Sequence, residues 1–252
     1  MPFKRRILYA ALTSVLTLLC HVSAPAQAVD RSKTLNEVAS LRKELDEKQK
    51  LLLTPRAEDL ARFAEFLKQP ETGLICLLPR SLYDDTLTIR GGGAYYSFVR
   101  LAHDYGLGSD IAFEKIERTS EFTPPPIATY IFDTGFAGAS YGFIVTLGAV
   151  PLEKVTLDHG EVKSLAAYNP PSTLPEARAE QQRSRQRTPG AEWDSYKAGA
   201  LATVNYTYAL RSIDFEKSDV LVAFRVVRKE IDGGVVILWK MLKRFPTPHL
   251  QR

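Results

Sequence analysis

Two runs near the C-terminus, residues 220–227 and 235–238, are apolar on both strand faces, with Arg225 the single charged interruption. Side chains alternate between the two faces of a strand, so strands made from these runs are apolar on both sides and must be covered on both. The cover has to come from other strands or from helices earlier in the chain. Asp232-Gly233-Gly234 supplies a turn between the two runs. Residues 216–219 supply another, after a strand carrying Val204, Tyr206, Tyr208, Leu210, Ile213 and Phe215. The three strands read as an antiparallel β-meander, with the first losing its alternation near Ser212 as a bulge would make it.

Upstream, residues 73–169 hold short runs rich in Tyr, Phe, Ile, Val and Thr, punctuated by Gly, Pro and Asp. Strands are expected at 74–78, 86–90, 94–102, 110–118, 128–133, 141–147 and 152–157. No stretch between them has the length and 3.6-residue period of a crossover helix, so the pairing should be mainly antiparallel. Two helices precede the strands. Residues 31–53 are charged and helix-forming, with Leu35, Val38, Leu45 and Leu52 on a coiled-coil stripe that Arg42 and Gln49 interrupt. Thr54 then reads as an N-cap with Pro55 behind it, and Leu60, Phe63, Ala64 and Leu67 share one face before Pro70.

The expected fold class is α+β, mainly β: antiparallel sheet(s) or a sandwich with two N-terminal helices and a C-terminal three-stranded meander. Residues 54–252 should form a single β-rich domain, and 29–53 a charged helical linker. Residues 169–190 read as a flexible Pro/Arg-rich insertion. Thr173 and Glu176 fit a capping box for a short helix, but 176–187 contains only alanine as apolar residue and offers no face to bury.

The first 28 residues have another character. Lys4, Arg5 and Arg6 are followed by an apolar stretch at 7–19 and then by Ala26-Gln27-Ala28. That order is a secretory signal peptide, with cleavage expected after Ala28 and export to the periplasm or the medium. The apolar stretch is shorter than the roughly 20 residues that span a bilayer. An uncleaved N-terminal membrane anchor is the alternative. Leu19 before Cys20 excludes a lipoprotein signal. The whole chain has 33 basic and 29 acidic residues, a formal charge of +4. Cleavage would remove three basic residues and no acidic ones, leaving a nearly neutral domain. Charge therefore gives no argument for a nucleic-acid partner; Arg178, Arg183, Arg185 and Arg187 are accompanied by Glu176 and Glu180 and lack aromatic neighbours to stack bases. Only Cys76 would remain, in the apolar run 73–78, so no internal disulfide is expected and the thiol reads as a small buried hydrophobe.

Several residues could carry chemistry. Gly138-Ala139-Ser140-Tyr141-Gly142 matches the G-x-S-x-G nucleophile elbow, with Asp158 and His159 following in hydrolase order. An elbow needs a strand, a strained turn and then a helix, whereas residues 141–148 read as a strand. Arg90-Gly91-Gly92-Gly93 could present bare backbone N–H groups and a guanidinium to an anion, without the helix or Gly-Lys-Ser/Thr of a nucleotide loop; a turn needing positive φ is the structural alternative. His103, His159 and His249 have no metal-ligand spacing, and a calcium loop starting at Asp104 fails at Gly106 and Gly108 and at Lys115, where its last ligand would stand. No metal or other cofactor is expected. Tyr95, Tyr96 and Trp193 adjoin turn-rich segments and are the aromatics expected to stay exposed.

The leading functional expectation is an exported, non-catalytic binding or envelope scaffold domain whose partner is an envelope or extracellular ligand or protein. A secreted serine hydrolase using Ser140 with His159 or His103 is the alternative from another class. An N-terminally anchored interaction protein is the third, and the stripe at 31–53 offers a route to oligomers.

Overall fold

The computed structural model describes residues 30–103, 105–106, 108–118, 127–136, 140–185 and 198–251. The chain divides into two compact units, 1–45 and 46–252. The division falls within helix α1 (Arg31–Leu52). In the first unit every described side chain is exposed.

The second unit contains two antiparallel sheets among its described residues. β1 (Thr72–Leu77), β9 (Val235–Arg244), β8 (Ser218–Lys229), β7 (Thr207–Asp214) and β5 (Tyr141–Gly148) make the larger sheet, in that order. β2 (Tyr95–Tyr96), β3 (Ile111–Arg118), β4 (Ile127–Asp133) and β6 (Gly199–Leu201) make the smaller one. Short helices α2 (Ala57–Arg62), α3 (Ala64–Leu67), α4 (Arg80–Tyr83), α5 (Gly160–Ala167) and α6 (Leu174–Arg185) complete the unit. The chain is thus a mixed α+β protein built on antiparallel sheets, as its sequence leads one to expect, and Cys76 is a buried free thiol.

The larger sheet is the middle layer. Ile75, Leu77, Leu210, Val222, Phe224, Ile237 and Trp239 point into one core shared with Ile111, Phe113 and Phe132 from the smaller sheet and with Phe98 from the turn after β2. Leu74, Cys76, Ala209, Leu221, Ala223, Val236 and Leu238 point the other way, against Phe66, Val162, Leu165 and Ala177 from the helices. Strict alternation between two cores explains why β8 and β9 read as continuous apolar runs. Gly73 lies directly across from Trp239 in the β1–β9 register, where a Cβ would fall 2.5 Å from the indole nitrogen. Only glycine leaves room for that ring.

Several local expectations are corrected. Residues 86–90 form no strand but a turn leading into a 3-10 turn at Arg90–Gly93, and only Tyr95–Tyr96 of 94–102 pairs as a strand. Residues 152–157 begin with a 3-10 turn, Leu152–Lys154, whose Leu152 is buried together with Val155. No bulge occurs at Ser212: β7 pairs with β8 in unbroken register, and the bulges lie between Thr146 and Gly148, Leu221 and Val222, and Val226 and Arg228. The alternation near Ser212 breaks for a different reason, because Arg211 is buried on the helix side and Ser212 hydrogen-bonds the buried Asp110 on the other. Within 169–190, residues 174–185 are helix α6, packed on β5 with Ala177 and Ser184 buried. Two small residues seven apart suffice for a close helix-to-sheet approach, which counting large apolar side chains overlooks. Residues 186–190 lie outside the described residues.

Arg211 and Asp219 form a bidentate ion pair across β7 and β8, with contacts of 2.9 and 2.7 Å and both side chains 1% exposed. Arg211 Nη1 also donates to the carbonyls of Leu165 and Tyr168, at 2.5 and 2.6 Å, at the end of α5. These are carbonyls without a helical partner, and a cation there is favourable. Replacing one member of such a pair leaves an unpaired buried charge, so Arg211→Met should lower the unfolding free energy by about 3–5 kcal/mol in urea titrations. Asp219→Leu added to Arg211→Met should recover much of the loss; an additive double variant would show that the pair does not act as a unit.

Candidate functional site

The loop at 88–96 gathers the polar and aromatic groups that the sequence singles out. Its start is held by Gln49 of α1, whose Oε1 accepts from the backbone N–H groups of Thr88 and Ile89 at 2.9 and 3.2 Å. Gln49 Nε2 donates to Thr88 Oγ1 at 2.8 Å, and the side chain is buried. Gly91, Gly92 and Gly93 then follow with φ of 73, 60 and 77°, the left-handed region in which a side chain is strained. A Cβ on Gly91 would also meet the rings of Tyr95 and Tyr105 at 2.5 and 2.7 Å. The glycines therefore let the backbone turn tightly beneath two tyrosines.

On that base stands an aromatic shelf. Tyr95 makes edge contacts with Tyr105 and Phe136, at centroid distances of 4.9 and 5.3 Å. The Arg80 guanidinium lies 6.0 Å from both tyrosine rings, donates from Nη1 to the Tyr95 hydroxyl at 3.2 Å and from Nε to Asp84 at 3.1 Å. Arg90 lies 5.0 Å over the Tyr105 ring. Arg90 has no hydrogen-bond or ion-pair partner among the described residues. Tyr105 is half-buried and Arg90 exposed, so the outer side of the shelf is an unmatched guanidinium on an aromatic ring. Burial is the main cause raising the Tyr95 hydroxyl above its ordinary pKa, so it stays protonated and able to hydrogen-bond. Tyr95 and Tyr96, expected to be exposed, are both buried, Tyr95 within the shelf against Ala94 and Ala112 and Tyr96 on the opposite side in the core shared with the larger sheet. Trp193 and Asp104 lie outside the described residues.

The remaining candidates are tied into the fold. His103 places Nδ1 3.1 Å from the Tyr95 carbonyl, to which it donates, and its ring meets Tyr96 edge-on at 5.3 Å. Burial pulls its pKa down to about 4. Ser140 Oγ donates to Asp214 Oδ1 at 2.5 Å, while its carbonyl accepts from Gln181 of α6 at 2.6 Å. The residue after Ser140 begins strand β5, with no helix at this turn; Gly138 and Ala139 lie outside the described residues. His159 stands at the residue before α5 without a side-chain capping hydrogen bond, and its Nδ1 is buried without a partner among the described residues. Burial, reinforced by Glu230, pushes the Cys76 thiol up to about 12. Among the described residues no group of three His, Cys, Asp or Glu could hold a metal ion.

Comparison with protein-family models, curated proteins and solved structures returned no match.

Of the residues that sequence reasoning selects, Arg90 and the three glycines come together with Tyr95 and Tyr105, and His103 lies directly behind. Ser140 is joined to Asp214 and to neither histidine. Arg80 carries no sequence signal, since it follows Pro79 outside any motif, yet it contacts both tyrosines of the shelf. The arrangement can offer donors to an oxyanion from Arg90, beside a planar apolar surface.

The neutral state of His103 has a consequence for stability. The unfolded chain takes up a proton near pH 6.5, while the folded protein resists until about pH 4. Its contribution is therefore complete above pH 6.5 and is lost as pH falls towards 4, a change on the order of 3 kcal/mol. Denaturant titrations from pH 7.5 to 4 should show this slope in the native protein and a flatter one in His103→Asn, which keeps a donor to Tyr95; equal slopes would remove His103 as the cause.

Proposed function

We propose that the chain is an exported, non-catalytic binding or scaffold domain that meets an anionic envelope or extracellular partner through the Arg90–Tyr105 shelf. The observation that carries the reading is the contrast between groups already used by the fold and the one left open. Ser140, His103 and Cys76 are each engaged or buried, whereas Arg90 is an exposed cation with an aromatic backing and no partner among the described residues. In this reading the C-terminal meander and the helices of the second unit form the framework that carries the shelf, and residues 1–28 serve as the export signal. The basic start, the short apolar stretch and Ala26-Gln27-Ala28 support that last assignment.

Mass spectrometry of the exported protein, before and after treatment with a fluorophosphonate probe, tests the first part of the proposal. An N-terminus at Val29 and no probe adduct are expected. A stoichiometric adduct lost in Ser140→Ala would establish a serine hydrolase instead, and an N-terminus at Met1 would make the protein membrane-anchored. The shelf is tested by calorimetric titration with pyrophosphate. Arg90→Ala should weaken binding at least about tenfold, a loss of roughly 1.4 kcal/mol, with circular dichroism unchanged; binding that survives the substitution would place the anion elsewhere.

A further inference from the structure

Away from the shelf, a recess of about 430 Å³ opens where Leu51 and Leu52 meet the ends of β1 and β9. Its lining is aliphatic, from Leu51, Leu52, Leu77, Leu78 and Val235, and Cys76 adds its thiol. Ile231 at the β8–β9 turn stands fully exposed beside it, and Leu51 is 71% exposed. The charged groups at the recess are Arg56, Glu230 and Asp232. Arg56 and Arg228 both pair with Glu230, at 2.6 and 2.7 Å, and Arg228 is shared with Asp59. Carboxylates thus outnumber guanidiniums around the opening, and Glu230, Asp59 and Asp232 all act to raise the Cys76 thiol. A complementary occupant is aliphatic and basic.

The first unit of the chain has those properties. In α1, Leu35 and Leu41 are 67 and 65% exposed, and Val38 and Leu45 are exposed as well. Over residues 30–45, Arg31, Lys33, Arg42 and Lys43 outnumber Asp30, Glu37 and Glu44 by one, and Arg42 and Lys43 are adjacent. We infer that the recess receives the Leu35–Val38–Leu41 face of α1 from a second copy of the chain, with Arg42 and Lys43 facing Glu230 and Asp232. Each copy carries both surfaces, and the assembly inferred is the reciprocal exchange, a twofold dimer, rather than an open chain of one-way contacts. The simple parallel coiled coil is disfavoured because it would set Arg42 against Arg42 of the other copy. This assembly stands independently of the shelf and of export.

Sedimentation velocity on the full chain, from micromolar to hundreds of micromolar, reads the outcome. A monomer–dimer equilibrium is expected. Leu41→Glu and Ile231→Glu each change an exposed side chain, and each should weaken association at least about tenfold with unchanged circular dichroism. Mixing the two variants should restore part of the association, because the heterodimer keeps one intact helix and one intact recess facing each other. A monomer at every concentration would overturn the inference. So would a dimer indifferent to Ile231→Glu, or a mixture no stronger than its components, both of which indicate pairing of α1 helices alone.

Discussion

The guanidinium of Arg211 joins four parts of the second unit in one place. It pairs with Asp219 of the neighbouring strand, donates to two carbonyls at the end of α5, and lies 3.8 Å over the ring of Phe245 in the C-terminal segment. A buried ion pair gives little net stability compared with well-packed apolar groups, because both charges must leave water. Its value here is positional. An unsatisfied guanidinium inside the helix-side core would be costly, so a helical layer shifted along the sheet, or a β7–β8 pair slipped in register, is penalised more than hydrophobic contact alone could penalise it.

The middle position of the larger sheet is the other organising fact, and it is the part most legible in the sequence. Consecutive apolar residues in β8 and β9 require two covered faces, and the structure supplies the smaller sheet on one side and the helices on the other. The failures are also instructive. Residues 86–102 are rich in strand-forming types, yet three glycines with positive φ keep most of them out of regular pairing. Helix α5 is short and helix α6 is almost all polar, so neither has a strong 3.6-residue signature; each is fixed by a few buried contacts, Val162 and Leu165 in one and Ala177 and Ser184 in the other. Arg211 looks like an interruption of a strand because a sequence shows its charge but not the Asp219 that receives it.

The candidate site was legible only in part. Arg90 and the glycines can be picked from the sequence, but their reading changes: the glycines serve the close approach of Tyr95 and Tyr105 and the contact of Leu53 with Gly93, and an anion has only the guanidinium of Arg90 in clear view. Arg80 and Phe136 could not be picked out, since their roles come from long-range packing around Tyr95. The G-x-S-x-G pattern was legible, but its surroundings differ from an elbow, because Ser140 immediately precedes strand β5 and donates its hydroxyl to Asp214.

One further feature bears on how the molecule comes into being. β1, the first strand of the larger sheet, pairs with β9, its last, from Thr72 opposite Lys240 to Leu77 opposite Val235. Most of the second unit lies between those partners in the chain. Closing so long a loop costs entropy before any contact repays it, and topologies dominated by such pairings fold slowly. During synthesis β1 has no partner until almost the whole polypeptide has been made, so its apolar residues wait uncovered. The late arrival of β9 sets the moment at which an extended, sticky chain becomes a closed sheet.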